Sequence, residues 1–263
     1  MPLLDIVVRA KNGHGLTEAC IKSIRATTRP EDVRIILVDD GSEPPQLLGE
    51  ADVVIRSQVN QGAVSATNLG IGAALWNGDA PNLMVLDNDA EFPAGDDEWL
   101  PRILGELEAG GPQTAAIGAT SGLVNPPQHI LRMPLTYTAD WTNKETGESG
   151  IKESPQVVSF VSFAVVLRKS ALREVGPWDE QFNPGNYEDT DYSVRLRQAG
   201  YEIRVARSVY IHHKGHATFG ADLQALLDRN GEKFHVKHGV GTLFDLGFIP
   251  VAQLVRALGG ARG

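Results

Sequence analysis

A single cysteine, Cys20, occurs in 263 residues. No intrachain disulfide can form, which fits a reducing compartment and leaves stability to packing. Cys20 falls inside a helical run and is expected to be a buried thiol, not a nucleophile. Basic residues are also scarce: 24 Lys and Arg stand against 33 Asp and Glu, a net charge of -9. That balance disfavours a polyanion such as DNA as a global partner and leaves room only for a local basic groove. No uninterrupted apolar stretch approaches twenty residues, so no transmembrane helix is expected. Met1-Pro2-Leu3-Leu4-Asp5 leads straight into a strand-like run, with no basic n-region or long apolar h-region, so no secretory leader is read there. Internal repeats and low-complexity tracts are missing as well. With 42% apolar and 22% charged residues, what is left is a globular chain, expected in the cytoplasm. Its length suits one large domain or two small ones. The tail from Leu243 to Leu258, moderately apolar and interrupted by Pro250, is expected to pack internally or to contact a second copy in a homo-oligomer. Peripheral attachment at a membrane surface is the alternative.

What is present is an alternation of strand and helix signals. Short β-branched runs occupy residues 5–10, 33–38, 52–55, 82–86 and 115–119. Helical periodicity fills the gaps: 17–27, with Leu16, Cys20 and Ile24 four apart and Thr17 as N-cap; 63–76, despite Gly70 and Gly72; and 98–109. Such alternation predicts a parallel sheet with helices on both faces, and ligands beyond the carboxyl ends of its strands. Asp39-Asp40 and Asp87-Asn88-Asp89 both end strands, so they should share one crevice. From about Asn125 to Pro155, turn residues predict a hairpin or long loop, a candidate lid. A strand run over 157–167, helices over 168–175 and 189–199, and an alternating strand over 201–211 follow.

Five groups carry chemistry. Asp87-Asn88-Asp89 suits a hard divalent cation holding a diphosphate, with strand alternation turning both carboxylates to one side. Asp39-Asp40-Gly41-Ser42 offers a carboxylate for a base or ribose. Asn60-Gln61-Gly62 and Asn68-Leu69-Gly70 flank a helix start, where phosphates bind or where capping alone explains them. Glu188-Asp189-Thr190-Asp191 opens a helix whose dipole keeps carboxylates ionised, as a base requires. His212, His213 and His216 are the one histidine cluster, with metal-ligand capacity.

In this order and at these spacings the chain resembles the inverting glycosyltransferases of family 2, over roughly residues 5–220. The motifs are Ile6-Val7-Val8-Arg9-Ala10-Lys11-Asn12, then Val38-Asp39-Asp40-Gly41-Ser42, then Asn60, Gly62, Ala66, Asn68 and Gly70. The D-x-D of Asp87 to Asp89 follows, then Gly176-Pro177-Trp178-Asp179-Glu180, the Glu188-to-Asp191 helix start and His213-Lys214-Gly215-His216-Ala217-Thr218. The nearest subgroup is the rhamnosyl- and galactofuranosyltransferase-like one. Three positions depart from the pattern: Arg9-Ala10-Lys11 replaces Pro-Thr-Tyr, Thr67 replaces an arginine, and a small glycine is replaced around Phe163. Arg9 or Lys11 adds charge near the diphosphate or reshapes the loop.

The resemblance implies a GT-A fold, an α/β architecture with a Rossmann-like, mostly parallel central sheet, helices on both faces and a smaller acceptor-side subregion. Residues 1–225 would form the domain, with 1–120 the nucleotide-binding half and 121–225 the acceptor and catalytic half; 226–263 would be a C-terminal helical extension. It implies a nucleoside-diphosphate sugar donor and a hydroxyl acceptor: a glycan, lipid-linked glycan, protein or modified base. Ala10, Asn12, Asp39, Asp40, Asn60, Gly62, Asn68, Asp87 and Asn88 would line the donor site, Asp39 at the nucleobase and Asp87 near the ribose. Asp89 would hold Mn2+ or Mg2+ with His213, or with His212 or His216. Asp189 would be the general base, with Glu188 and Asp191 setting geometry around it. Trp178 would be a platform for an acceptor ring, with Asp179 and Glu180 on its hydroxyls. Two other readings compete: a sugar-phosphate nucleotidyltransferase, for which Asn12-Gly13-His14-Gly15 is a poor phosphate loop, and a non-catalytic sugar-nucleotide or glycan-binding protein.

Overall fold

The apolar β-branched runs become the inner strands of a single large sheet. The computed structural model describes residues 1–46, 49–124, 128, 154–215 and 223–248. In chain order the first half comprises β1 (Leu4–Ala10), α1 (His14–Thr27), β2 (Val33–Asp40), β3 (Val53–Ser57), α2 (Ala63–Asn77), β4 (Asn82–Asp87), β5 (Ala90–Glu91), α3 (Trp99–Ala109) and β6 (Thr114–Thr120). The second half comprises β7 (Gln156–Val157), β8 (Ala164–Arg168), α4 (Lys169–Val175), a 3-10 turn at Glu180–Phe182, α5 (Glu188–Gln198), β9 (Glu202–Tyr210), β10 (His212–His213), α6 (Leu223–His238) and α7 (Val240–Asp245).

The main sheet has eight strands in the order β3-β2-β1-β4-β8-β6-β9-β7. β1, β2, β3 and β4 form a parallel set, with α1 crossing from β1 to β2 and α2 from β3 to β4. Successive residues face opposite sides, and so the sheet serves two cores. Ile6, Val8, Ile35 and Leu37 face Cys20, Ile21 and Ile24 of α1 and Trp99 and Ile103 of α3. Val7, Ile36 and Val38 face Val64 and Ile71 of α2, Leu172 of α4 and Tyr192 and Leu196 of α5. Cys20 lies in the first core, buried, and burial pushes its thiol far above the ordinary range. Among the described residues no helix is long and apolar enough to cross a membrane.

Two sequence expectations need correcting, and two more fall on residues outside those described. β8 runs antiparallel to both β4 and β6, because the run expected over 157–167 breaks after Val157 and turns at Ser162–Phe163 before re-entering the sheet. A sheet of parallel strands is therefore mixed at its centre. α1 starts at His14 behind a left-handed Gly13, leaving Thr17 inside the first turn instead of capping it. The candidate lid over 125–155 lies outside the described residues except for Gln128, Ser154 and Pro155. The tail from residue 249 onward lies outside them too.

Two glycines of α2 show how closely that helix sits on the sheet. A Cβ at Gly70 would stand 2.2 Å from Val7 Cγ1 and 3.2 Å from Val38 Cγ2, whereas one at Gly72 would meet nothing within 4 Å. Opposite effects are expected from one substitution. Gly70→Ala should lower unfolding free energy by about 1–3 kcal/mol through overpacking. Gly72→Ala should raise it by about 0.5–1 kcal/mol through helix propensity. Urea unfolding followed by circular dichroism reads both; equal effects of one sign would contradict this packing.

Candidate functional site

β1, β2 and β4 all point their carboxyl ends at one rim. Register sets Ala10 beside Asp39, and Arg9 beside Asp87, on adjacent strands. Asp87 closes β4, and a turn at Asn88-Asp89 leads into β5. It is that turn, and not strand alternation, that brings Asp89 to the same side as Asp87. β5 pairs antiparallel with β10, His213 opposite Ala90 and His212 opposite Glu91. Neighbouring strand residues face opposite ways, so only one histidine turns towards the acids. His213 Nε2 lies 3.2 Å from Asp89 Oδ1 and 3.5 Å from Asp87 Oδ2, while His212 is exposed. His216 lies outside the described residues.

Asp87, Asp89 and His213 offer ligand atoms all within 4.8 Å of one another, a group that fits a divalent metal. The imidazole is already oriented: its Nδ1 bonds the Leu123 carbonyl at 2.8 Å, which makes Nδ1 the donor and aims Nε2 at the carboxylates. Phe163 packs against the same ring at 5.1 Å between centroids. Burial opposes a charge on His213, but hydrogen bonds to Asp87, Asp89 and Leu123 outweigh it and lift its pKa to about 10. The place is one for positive charge, which a divalent cation would supply equally, with Nε2 deprotonated.

The second acidic cluster reaches the first through Arg9. Its guanidinium donates to Asp87 Oδ1 from Nε at 2.9 Å and from Nη2 at 2.6 Å, and to Thr67 Oγ1 from Nη1 at 3.0 Å. Nη2 also reaches Ser162, at 2.9 Å from its Oγ and 3.2 Å from its carbonyl. Ser162 continues the chain: its Oγ donates to Glu188 Oε1 and its amide to Asp189 Oδ2, both at 3.4 Å. Burial works against the Arg9 charge, but Asp87, Glu188 and Asp189 outweigh it and raise its pKa. Arg9 is thus not a free charge at the rim. Two departures from the family pattern, Arg9 and Thr67, meet in one hydrogen bond.

Glu188 and Asp189 differ in access. Glu188 is buried, and among the described residues its Oε2 has no hydrogen-bond partner. Burial first, then the Asp189 charge, lift its pKa to about 8. Asp189 is partly exposed; burial raises its pKa, against hydrogen bonds from Thr190 and Ser162 that lower it. Asp191 is fully buried, held by Arg195, Lys237 and His238.

Several expected site residues hold loops together. Asp39, 0% exposed, accepts from the Ser42 and Gln46 amides and pairs with Arg56 at 2.8 Å. Burial opposes its charge, but those donors keep its pKa below the ordinary range. Asn12, left-handed at φ 54°, ties the same loop through Glu43 and Ser42; Ala10 is buried at the end of β1. Asn88 donates to Thr17 Oγ1 at 2.9 Å. Asp40 accepts from the Gln61 and Gly62 amides, and Asn60 also accepts from Gly62. Asn183 Oδ1 and the Pro184 carbonyl take the next three amides of α2. A phosphate expected at Asn60-Gln61-Gly62 would find those donors occupied. Asn68 clasps the Trp178 backbone both ways at 2.9 Å and touches Glu180. Trp178 itself is 1% exposed and stacks on Tyr192, with no face for an acceptor ring: it anchors the core. Asp179 caps the 3-10 turn at Gln181 and pairs with Lys237.

Ser162 and Gln128 went unread in the sequence. Gln128 is buried and bonds Val161 and Ala119, fixing the turn that presents Ser162. A polar residue between Phe160 and Phe163 was the available signal for Ser162; Gln128 gave none.

Residues 5–176 match the family model for Glycosyl transferase family 2. A pre-mycofactocin glycosyltransferase of Mycobacterium tuberculosis (strain H37Rv) is 30% identical over 219 residues, covering 80% of this chain and 42% of its own. The succinoglycan biosynthesis protein ExoA of Rhizobium meliloti is 23% identical over 206 residues, 75% of this chain and 59% of its own. The chain therefore spans less than two thirds of the length of these curated relatives. Among solved structures, GalNAc-T7 with UDP, GalNAc and Mn2+ superposes at TM-score 0.60 with 15% identity, over 81% of this chain and 44% of that one. A mannosyltransferase of Pyrobaculum calidifontis with GDP-Man and Mn2+ does so at 0.60 with 13% identity, over 90% and 64%. These neighbours share the GT-A fold. On the extent of the family match, together with the order of its strand-end acids, the chain belongs to glycosyl transferase family 2.

Proposed function

We propose that this protein transfers a sugar from a nucleoside-diphosphate donor to an acceptor hydroxyl by direct displacement with inversion. The observation that carries the reading is the joining of the Asp87–Asp89–His213 group to a partly exposed Asp189 carboxylate through Arg9 and Ser162. Donor chemistry and base chemistry then sit on one rim of the sheet. Solved neighbours of the same fold hold UDP, GDP-Man or UDP-GlcNAc, two of them with Mn2+, which supports a donor of this class.

Asp89 and His213, with Asp87 beside them, would hold Mn2+ or Mg2+, which when bound neutralises charge on the departing diphosphate. Arg9 fixes the Asp87 carboxylate with two donors on its Oδ1. Asp189 accepts the acceptor's hydroxyl proton as that oxygen bonds the anomeric carbon and the bond to the diphosphate breaks. Burial raises its pKa above the ordinary carboxylate value, the direction that strengthens a general base. Glu188 holds its own proton at neutral pH and so spares Asp189 a second adjacent charge.

Three outcomes are expected. Asp89→Ala should remove Mn2+-dependent stabilisation by UDP and GDP in a thermal-shift assay; an unchanged shift would take Asp89 out of the metal site. Asp189→Asn should keep that shift yet lose about 10²–10⁴-fold in turnover of a sugar nucleotide. Release of a nucleoside diphosphate marks glycosyl transfer, whereas pyrophosphate release from a nucleoside triphosphate marks nucleotidyl transfer. The third outcome concerns pH. The folded pKa of Glu188, about 8, lies above its ordinary value of 4.5, so the native state binds the extra proton. That contribution to stability is complete below about pH 4.5 and is lost as pH rises through 8. Glu188→Gln should therefore gain melting temperature over the parent protein steadily from about pH 4.5 to about pH 8, the window between the two pKa values, and keep a constant lead above it. A gap that stays constant across that window would show that Glu188 does not titrate there.

A further inference from the structure

The segment leading to Glu188 and Asp189 is built from backbone that side chains avoid. Gly185, Asn186 and Tyr187 have φ values of 154°, 69° and 70°, and Tyr187 is the residue from which α5 starts. Consecutive residues of this kind persist only where their surroundings over-determine them. Here the surroundings are α6.

Asn230, 0% exposed, directs its two amide hydrogens at three backbone carbonyls: Phe182 at 3.0 Å, Gly185 at 2.9 Å and Asn186 at 3.1 Å. Gly231 follows, and its missing side chain makes room for the Tyr187 ring: a Cβ there would stand 3.1 Å from Tyr187 Oη. Phe234, one turn on, packs against the same ring at 5.4 Å between centroids. One turn further, His238 Nε2 donates to the buried Asp191 Oδ1 at 2.8 Å. The spacing puts these four residues on one helix face. Beside them runs a stripe of cations at every fourth position. Arg229 donates to the Asn183 carbonyl at 3.1 Å and Lys233 to the Gln181 carbonyl at 2.6 Å. Lys237 pairs with Asp179 at 2.7 Å and with Asp191 at 2.6 Å. One helix therefore grips residues 179–191 from end to end.

We propose that α6 is a positioning element of the catalytic site. Asn230 holds the turn over 182–186, and Lys237 and His238 hold Asp191, so that the first turn of α5 presents the Asp189 carboxylate to the acceptor hydroxyl. The proposal rests on the reading of Asp189 as the base. It adds residues that lie beyond the family match, which ends at 176. A base displaced by about 1 Å loses on the order of 100-fold in rate, so a distant clamp of this kind is felt in turnover before it is felt in donor binding.

The test uses the full chain with Asn230→Asp, which keeps the shape but exchanges donors for acceptors, and with Lys237→Met and Lys237→Arg. Three quantities are read: hydrogen exchange of the amides from 182 to 192, Mn2+-dependent UDP binding, and kcat and KM for transfer of the donor sugar to water. Faster exchange in this segment is expected for Asn230→Asp and Lys237→Met, with kcat down about tenfold or more, KM and UDP binding within about twofold, and recovery in Lys237→Arg. Should Asn230→Asp fail to fold, Lys237→Met alone decides. Unchanged exchange would overturn the proposal, as would a loosened turn with wild-type kcat, or losses shared equally by UDP binding. Wild-type protein that turns over no sugar nucleotide would sink the glycosyl-transfer reading instead, and the exchange data would still decide whether α6 holds the turn.

Discussion

The arrangement at the sheet rim depends on one guanidinium lying between like charges. Asp87 belongs to the end of β4; Glu188 and Asp189 belong to the start of α5. Left alone, the two acidic groups would repel across a site partly closed to water, where such repulsion is poorly screened. Arg9 separates them, with two donors on Asp87 Oδ1 and contacts to both Ser162 oxygens. Its planar fork suits several acceptors at fixed angles, which a lysine at this position would not satisfy. Because it is buried, removing it would strand acids that have already lost water, the most expensive way to break such a contact.

The structure distributes its acids by access. Asp87 and Asp89 face an oriented imidazole, Glu188 is enclosed, Asp189 is partly open, and Asp39, Asp40 and Asp191 are consumed in holding loops. Several acids that resemble the family's functional residues thus do structural duty in this structure, and access separates one kind from the other. The same holds for Trp178, whose neighbours Phe160 and Tyr192 enclose it.

Much of this was readable in the chain. β-branched runs between helical periodicities gave the α/β class, and acids closing Val33–Asp40 and Asn82–Asp87 located the rim, because both signals are local. What escaped was relational. Nothing local distinguishes β8 running antiparallel from β8 running parallel, since an apolar run reads the same in either direction. The contact of Arg9 with Asp87 follows from the register of β1 on β4; the resemblance already put His213 ahead of His212, and the register of β10 on β5 supplies the physical reason. Asn183 caps a helix that starts at Ala63, a link that no spacing encodes. Thr17 was misplaced because Gly13, in a left-handed conformation, starts α1 a turn earlier.

The two-residue ladder between β5 and β10 has a topological meaning. It is the short seam by which position 213 is brought back to position 89, with β6, β8, β9 and α3 to α5 strung between them. A cation shared by Asp89 and His213 would act as a removable cross-link closing that long loop of chain, and the entropy of loop closure grows only slowly with length. Donor chemistry and the integrity of the second half of the fold would then be fastened by the same knot.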